Sequence, residues 1–307
     1  YPLLLVFSLL IGSIDSVYRV AYDSFYPNVI PAGFYRQAYS VSSMLDPLSL
    51  AMVPVAAYVY TNFGIVPLLL FNALSFFTAA VFETRIKAKE KYVEKEEGSA
   101  SLGGYNQRFR EGMEYIRSEK GLLTITVLFS LIMFSGGADT LVMPYCRSAP
   151  DIGIYGYCIA MGGFILGRLS GGMVQYRLTY PRDKKYAISV CVYIVLAVLN
   201  ALYLWTPLLP LTILLFVIGI LGVTSYNIRI AATQSYVPDS KRARFNGVFQ
   251  MLNNLGYIAG QLSAGALAEA VPHRAVLSAF YLVQLLAVFI VLLPRSAYVR
   301  SIYNQEL

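Results

Sequence analysis

The residues of this chain that could carry chemistry are a few ionisable side chains inside long apolar runs. Asp46 is the clearest case, because it lies twelve residues into such a run and directly before Pro47. An aspartate at the middle of a bilayer costs about 2.5–3.5 kcal/mol on insertion scales, and a low dielectric favours its protonated form. Asp46 is therefore a candidate for binding and releasing a proton. The alternative is a packing residue held by a hydrogen bond beside the proline.

A second candidate group lies near the start of the chain. Asp15, Arg19 and Asp23 follow one another at four-residue steps, which places all three on one face of a helix. Arg19 can then bridge both carboxylates and stabilise their charged forms. Two interpretations stay open: a polar network lining a cavity, or a structural ion pair near the cytoplasmic surface.

Two further charged residues lie inside apolar runs, and both have a structural alternative. Asp139 could be a gate residue near the end of its run, although Gly136 and Gly137 beside it favour a helix break. Arg168 can pair with an acid or extend its long side chain towards the nearest water. The three cysteines have no metal-type or redox spacing, so we expect no metal site and no cofactor.

The elements that position these residues are membrane-spanning helices. The chain is 57% hydrophobic and 13% charged, whereas soluble domains carry about 25% charged residues. At about 20 apolar residues per span, the sequence predicts nine spans and one large loop. The predicted spans are 2–22, 34–60, 66–82, 122–142, 154–176, 186–205, 208–232, 245–267 and 275–293.

The large loop is the stretch Glu83–Lys120, which holds 17 of the 41 charged residues of the chain. It separates a predicted first part (1–84) from a second part of six helices (121–307), with a linker (85–120) between them. Of the 24 Lys and Arg residues, 21 fall on the side of this loop, which predicts that the linker and the C-terminus face the cytoplasm. Basic residues clustered between apolar runs indicate membrane orientation, and we expect no nucleic acid partner.

An internal repeat relates the two parts. A shift of 207 residues aligns the stretch from Pro31 to Leu70 with 238–277 and pairs Asp46 with Asn253, a near-isosteric amide. By this repeat the first part begins before residue 1. We therefore expect about three helices to precede this sequence, in a parent of six plus six helices.

Three passages resemble one family. They are Phe109-Arg110-Glu111-Gly112-Met113-Glu114-Tyr115-Ile116, Asn72-Ala73-Leu74-Ser75-Phe76, and the stretch from Gln234-Ser235-Tyr236-Val237-Pro238 to Gly247. In these passages the chain resembles the major facilitator superfamily, and within it the bacterial efflux branch of macrolide and enterobactin exporters. The resemblance implies an all-α polytopic helix bundle, here helices four to twelve, that works by alternating access.

The resemblance also implies a function. It implies a secondary active transporter of the bacterial inner membrane, not an enzyme, that exports a drug-like or siderophore-like small molecule against protons. The antiport-associated motif of the family is partly retained around Pro54, and its repeat mate runs from Gly260 to Gly265. The alternative is a degenerate or truncated membrane protein with a scaffolding or sensing role and no transport.

Small residues recur at every fourth position on two of the predicted spans. Such strips let another helix backbone approach closely. In the family these helices line the contact between the two halves, so the resemblance implies that the strips allow the halves to rock; a purely structural role is the alternative. The strips consist of Gly163, Gly167 and Gly171, and of Gly256, Gly260 and Ala264.

Overall fold

The computed structural model describes residues 2–31, 34–52, 56, 59–60, 62–85, 102–178 and 180–304. Throughout these ranges the regular secondary structure is helical. Backbone groups cannot pair with water inside a bilayer, and a helix satisfies them within its own segment. The predicted fold class, an all-α polytopic bundle, is confirmed.

The first part of the chain contributes three helices, α1 (Pro2–Val29), α2 (Tyr35–Ala51) and α3 (Ile65–Glu83). Gly64 precedes α3 with φ 78°, a left-handed conformation that favours glycine over residues with a Cβ atom. No side chain of α3 is buried, and the Tyr18 hydroxyl joins it to α1 by donating to Glu83 Oε1 at 3.1 Å.

The remaining helices follow the charged loop. Residues 86–101 lie outside the described ranges, so the predicted linker is seen only in part. The helices are α4 (Leu102–Ser118), α5 (Lys120–Gly136), α6 (Val142–Ser148), α7 (Gly153–Arg177), α8 (Lys185–Leu202), α9 (Leu208–Tyr236), α10 (Asp239–Ala268), α11 (His273–Ala287) and α12 (Ser296–Tyr303).

Local sequence explains where several of these helices begin. Pro207, Pro238 and Pro272 stand directly before α9, α10 and α11. Each of these prolines lies just outside the first helical turn with an extended backbone, and it lacks the N–H that would be unpaired at a helix start.

Two helices change geometry without ending. A 3-10 turn (Gly137–Leu141) joins α5 to α6, at the glycine pair where the sequence favours a break. A π-helical turn (Val288–Leu292) and a 3-10 turn (Leu293–Arg295) join α11 to α12. Each pair of helices therefore acts as one long span.

Six helical segments of the described chain are long and apolar enough to cross a membrane. They match six of the nine predicted spans, and the other three predictions fall on α1, α2 and α10. Helix α10 opens with the charged stretch Asp239–Arg242 and carries polar side chains further along. The six segments are Ile65–Glu83, Lys120–Ser148, Gly153–Arg177, Lys185–Trp205, Leu208–Tyr236 and His273–Tyr303.

The second part of the chain holds two apolar clusters, one near each end of its helices. One includes Leu122, Tyr193 and Phe245, and the other is centred on Leu211 and Leu277. Lipid tails are as apolar as these side chains, so close packing and interhelical hydrogen bonds hold such a bundle together in a membrane.

Helix α4 packs on the first turns of α10. Glu111 Oε2 lies 2.9 Å from Arg244 Nη1, and the Lys241 ammonium lies 4.5 Å from the centre of the Tyr115 ring. We call this end of the bundle, where α5 and α10 begin and α9 ends, the linker end. Helix α1 packs on α10, and α2 packs on α7 and α9, so the two parts of the chain meet directly.

Candidate functional site

The two parts of the chain are joined at the linker end by hydrogen bonds between polar side chains. Gln250 Nε2 donates to Asp23 Oδ2 at 2.7 Å. Asn246 Nδ2 donates to Ser24 Oγ at 3.3 Å, and Asn227 Nδ2 donates to Ser40 Oγ at 3.3 Å. We call these six residues the polar seam: Asp23, Ser24 and Ser40 from α1 and α2, and Asn227, Asn246 and Gln250 from α9 and α10.

A second layer of hydrogen bonds holds the α9–α10 side of the seam in place. Gln234 Nε2 donates to Asn246 Oδ1 at 2.8 Å. The buried Arg242 side chain donates to the backbone oxygen of Gln234 at 3.1 Å and pairs with Asp239 at 2.5 Å. The tight turn between α9 and α10 is therefore rigid, and it orients the Asn246 amide towards α1.

Helix α2 meets α7 through close packing. A Cβ atom added at Gly172 would lie 2.5 Å from Met44 Cγ, so the glycine leaves room for the methionine. One turn further along, buried Gln175 donates from Nε2 to Thr224 Oγ1 at 2.8 Å and ties α7 to α9. Helix α2 of the first part therefore packs beside the point where α7 and α9 of the second part are joined.

A buried arginine lies beside the polar seam. Arg229 on α9 is 8% exposed, and its guanidinium carbon lies 4.8 Å, 5.0 Å and 5.4 Å from the ring centres of Phe129, Phe249 and Tyr226. Arg229 and Asp23 also interact electrostatically. The rings come from α5, α10 and α9, so the aromatic cage forms only when these helices pack.

The predicted group on α1 divides into two. Arg19 Nε pairs with Asp15 Oδ2 at 2.8 Å, with both side chains more than half exposed. Asp23 accepts a hydrogen bond from Gln250 and also feels the charge of Arg19. The predicted group on α1 therefore contains one exposed ion pair, and its third member, Asp23, is also a residue of the seam.

The other ionisable candidates lie apart from one another. Asp46 lies in α2, and its side chain is outside the described residues; its repeat mate Asn253 accepts from Ser130 Oγ at 3.3 Å. Asp139 accepts from the Tyr281 hydroxyl at 2.7 Å, in the 3-10 turn between α5 and α6. Arg168 lies 5.9 Å from the centre of the Phe164 ring. Within the described ranges no cluster of His, Cys, Asp or Glu could hold a metal ion.

The two glycine strips pack helices within the second part of the chain. A Cβ atom at Gly167 would lie 2.0 Å from the Phe216 backbone oxygen, and Gly163 and Gly171 also face α9. Gly260 would meet the Phe134 backbone oxygen at 2.0 Å, and Gly256 likewise faces α5.

The resemblance implied that both strips lie at the contact between the two halves. The structure instead packs them inside the second half, because the partners of these glycines belong to that same half. Ala264 is buried in the cluster around Leu277, which also lies in the second part. Pro54 of the antiport-associated motif lies outside the described residues, and at Gly265 of its repeat mate an added Cβ atom would meet nothing within 4 Å.

Sequence reasoning missed Arg229 and Gln250. The predicted span 208–232 contains Arg229, but Arg229 was not among the candidates; the structure places it inside that helix, seven residues before its end at Tyr236. The apolar run around Arg229 was the available signal. Gln250 carried no comparable signal, because an uncharged residue on a mixed helix does not stand out.

The chain was compared with known proteins. The family model of the Major Facilitator Superfamily matches residues 1–261. No curated protein and no solved structure matches the chain.

Proposed function

This chain belongs to the major facilitator superfamily, whose members are secondary membrane transporters, and on that premise we propose that it exports a small molecule by alternating access. The molecule is drug-like or siderophore-like, and inward proton flow drives its export. The protein lies in the bacterial inner membrane with the linker end towards the cytoplasm, where the excess of Lys and Arg belongs.

The polar seam is the observation that supports alternating access. Its hydrogen bonds join helices of opposite parts at one end of the bundle, and each can be exchanged for a hydrogen bond to water. Net contributions of about 1 kcal/mol for each of the two neutral bonds and about 1.5–3 kcal/mol for the bond to the Asp23 carboxylate give roughly 3.5–5 kcal/mol for these three bonds. A difference of about 5.5 kcal/mol moves a two-state equilibrium from 1:99 to 99:1, so a ligand can open such a seam.

Proton coupling is proposed for Asp46, which lies in the helix that packs on α7 and α9. A carboxyl group inside a span carries a charge only where water or a partner reaches it. A change of access from one side of the membrane to the other would let the same group take a proton outside and release it inside. Asp23 belongs to the seam, and we propose that it loses its hydrogen bond to Gln250 when the seam opens.

Transport by the complete natural protein in proteoliposomes tests this function. Erythromycin, a catecholate siderophore and a fluorescent dye serve as substrates, with and without an imposed pH gradient. We expect at least one of them to move faster with the gradient, and protein-free liposomes provide the control. Absence of gradient-dependent flux for every compound would contradict proton-coupled export and favour a membrane protein without transport.

A further inference from the structure

Arg229 is a buried cation without a hydrogen-bonded counter-charge. Its Nε atom has no hydrogen-bond partner, and within the described ranges its guanidinium forms no ion pair. Burial of an ion is costly even after the protein relaxes around it. The three aromatic rings offset part of that cost through cation–π contacts. The fold therefore maintains a positive charge here that no structural ion pair requires.

Arg229 is enclosed by rings of the second part of the chain, and one charged group of the first part lies within electrostatic reach of it. Its rings belong to α5, α9 and α10, and α1 brings the Asp23 carboxylate near it from the other part. Asp23 is held by Gln250, so it attracts Arg229 without direct contact. In the proposed alternating-access cycle, opening of the seam would move α1 and its carboxylate away from the guanidinium.

We infer that Arg229 binds an anionic group of the exported molecule, most simply a carboxylate, and that Phe129 and Phe249 contact the apolar body next to that group. The planar guanidinium matches a carboxylate with two parallel hydrogen bonds, and the rings beside it suit an aromatic or aliphatic body. The inference rests on the proposed function, since it names the chemical class of the substrate of that transporter.

Asp23 acts in this proposal as a competitor of the bound anion. A bound anion and the Asp23 carboxylate compete for the same positive charge. Closure of the linker end returns Asp23 to the guanidinium, which weakens the hold on the anion and favours its release at the opposite end. Loading at the linker end and release at the other is the direction of export.

Binding measurements on the purified complete protein in neutral detergent test the inference. The probes are naphthalene-2-carboxylate and the neutral naphthalene-2-carboxamide, which differ only in charge and hydrogen bonding. By calorimetry we expect the carboxylate to bind at least about tenfold more tightly, as hydrogen bonds to charged groups imply. R229Q should remove that preference, R229K should keep only part of it, and D23N should strengthen carboxylate binding.

R274Q is the matched control, because Arg274 also lies over an aromatic ring, 4.4 Å from the centre of Trp205, but at the exposed start of α11. It should leave both affinities unchanged. Equal affinities for the two probes, no binding of the carboxylate, or an intact preference in R229Q would each overturn the inference. Displacement of the carboxylate by phosphatidylglycerol at lower concentration would assign Arg229 to lipid headgroups and overturn it as well.

The outcome is independent of the outcome for the proposed function. Carboxylate preference that depends on Arg229, in a protein that gives no gradient-dependent flux, would retain the anion site and contradict proton-coupled export. Gradient-dependent flux that is unchanged in R229Q would retain the export function and overturn the site.

Discussion

Single polar residues inside apolar helices differ in what surrounds them, and that difference separates candidates for function from packing residues. Arg168 and Arg229 both lie inside spans, yet Arg168 is half-buried near one ring and Arg229 is enclosed by three. Asn253 has a hydrogen-bond partner in Ser130, on a helix of its own half. The position of Asp46 in the repeat therefore places an acid where the second half carries a hydrogen-bonded amide.

Replacement of Asp46 by asparagine tests its proposed role in proton coupling. D46N keeps the shape and polarity of the side chain but cannot bind or release a proton near neutral pH. We expect pH-gradient-driven flux to fall at least about a hundredfold, the lower end of what one proton-transfer group contributes. The measurement is initial flux into proteoliposomes.

D151N is the matched control, because Asp151 is an exposed acid in the loop between α6 and α7. It should transport as the unaltered protein does. Gradient-driven flux that is the same in D46N and in the unaltered protein would remove Asp46 from the coupling mechanism.

Helices of the second part are held together by backbone contact along the two glycine strips. A strip works only on the face that meets another helix, so glycines on one helix differ in importance. Gly162 and Gly167 are both on α7, but a Cβ atom at Gly162 would meet nothing within 4 Å. The energetic role of each glycine thus depends on the rotation of its helix.

Substitution of these two glycines by alanine should affect stability differently: only the change at Gly167 should destabilise the protein. G167A places a methyl group against the Phe216 backbone oxygen, which cannot move aside as a side chain can. We expect it to lower the unfolding free energy by about 1–3 kcal/mol, as overpacking does, and to lower Tm in detergent. G162A should be neutral or stabilise by up to about 1 kcal/mol through helix propensity. Equal Tm values for the two variants would contradict the packing of α7 on α9.

Helix α4 is fixed to the bundle through a similarly close contact. A Cβ atom at Gly112 would lie 2.9 Å from the Arg244 backbone oxygen and 2.9 Å from Val248 Cγ2. G112V should therefore lift α4 from α10 and raise amide hydrogen exchange across 102–118 by about tenfold or more, since overpacking costs about 1–3 kcal/mol. E114Q, which removes an exposed pair with Arg110, should leave exchange unchanged. Equal exchange in both variants would show that Gly112 does not set the docking.

At the scale of the whole molecule, the polar seam is the contact between the two parts of the chain that we propose closes and opens. Its side chains donate and accept hydrogen bonds equally well to one another and to water, so its net contribution is small. Apolar packing of the same area between water-exposed surfaces would resist separation more strongly. A polar contact between halves therefore suits a protein that must alternate between two states.

Loss of one hydrogen bond should shift this equilibrium measurably. Q250A removes the donor to the Asp23 carboxylate, and a hydrogen bond to a charged group contributes about 1.5–3 kcal/mol. We expect the population open at the linker end to rise by about tenfold or more. The measurement is the rate at which a membrane-impermeant maleimide labels S24C, in a background without the exposed Cys158 and Cys191.

S278A is the control for this experiment. It removes the hydrogen bond from Trp205 Nε1 at 2.9 Å, which joins two helices of the same part. It should leave the labelling rate unchanged. A labelling rate in Q250A equal to that of S278A would show that the seam does not hold the linker end closed.

The sequence by itself determined that this protein is an all-α bundle of apolar helices, and it predicts a charged loop between two parts. Those features are local, since twenty consecutive apolar residues favour a span wherever it lies, and a proline or a glycine pair marks a start or a break within its own turn. The glycine strips were also visible, because their four-residue spacing is a property of one helix.

Only the tertiary structure decided which helices those residues meet. Asp23 and Gln250 are 227 positions apart, and the strips face α5 and α9 because of how each helix is rotated and tilted. Likewise, Arg229 is enclosed because α5, α9 and α10 bring their rings to one point. Helix rotation and tilt follow from packing of the whole bundle, and no short stretch of sequence contains that information.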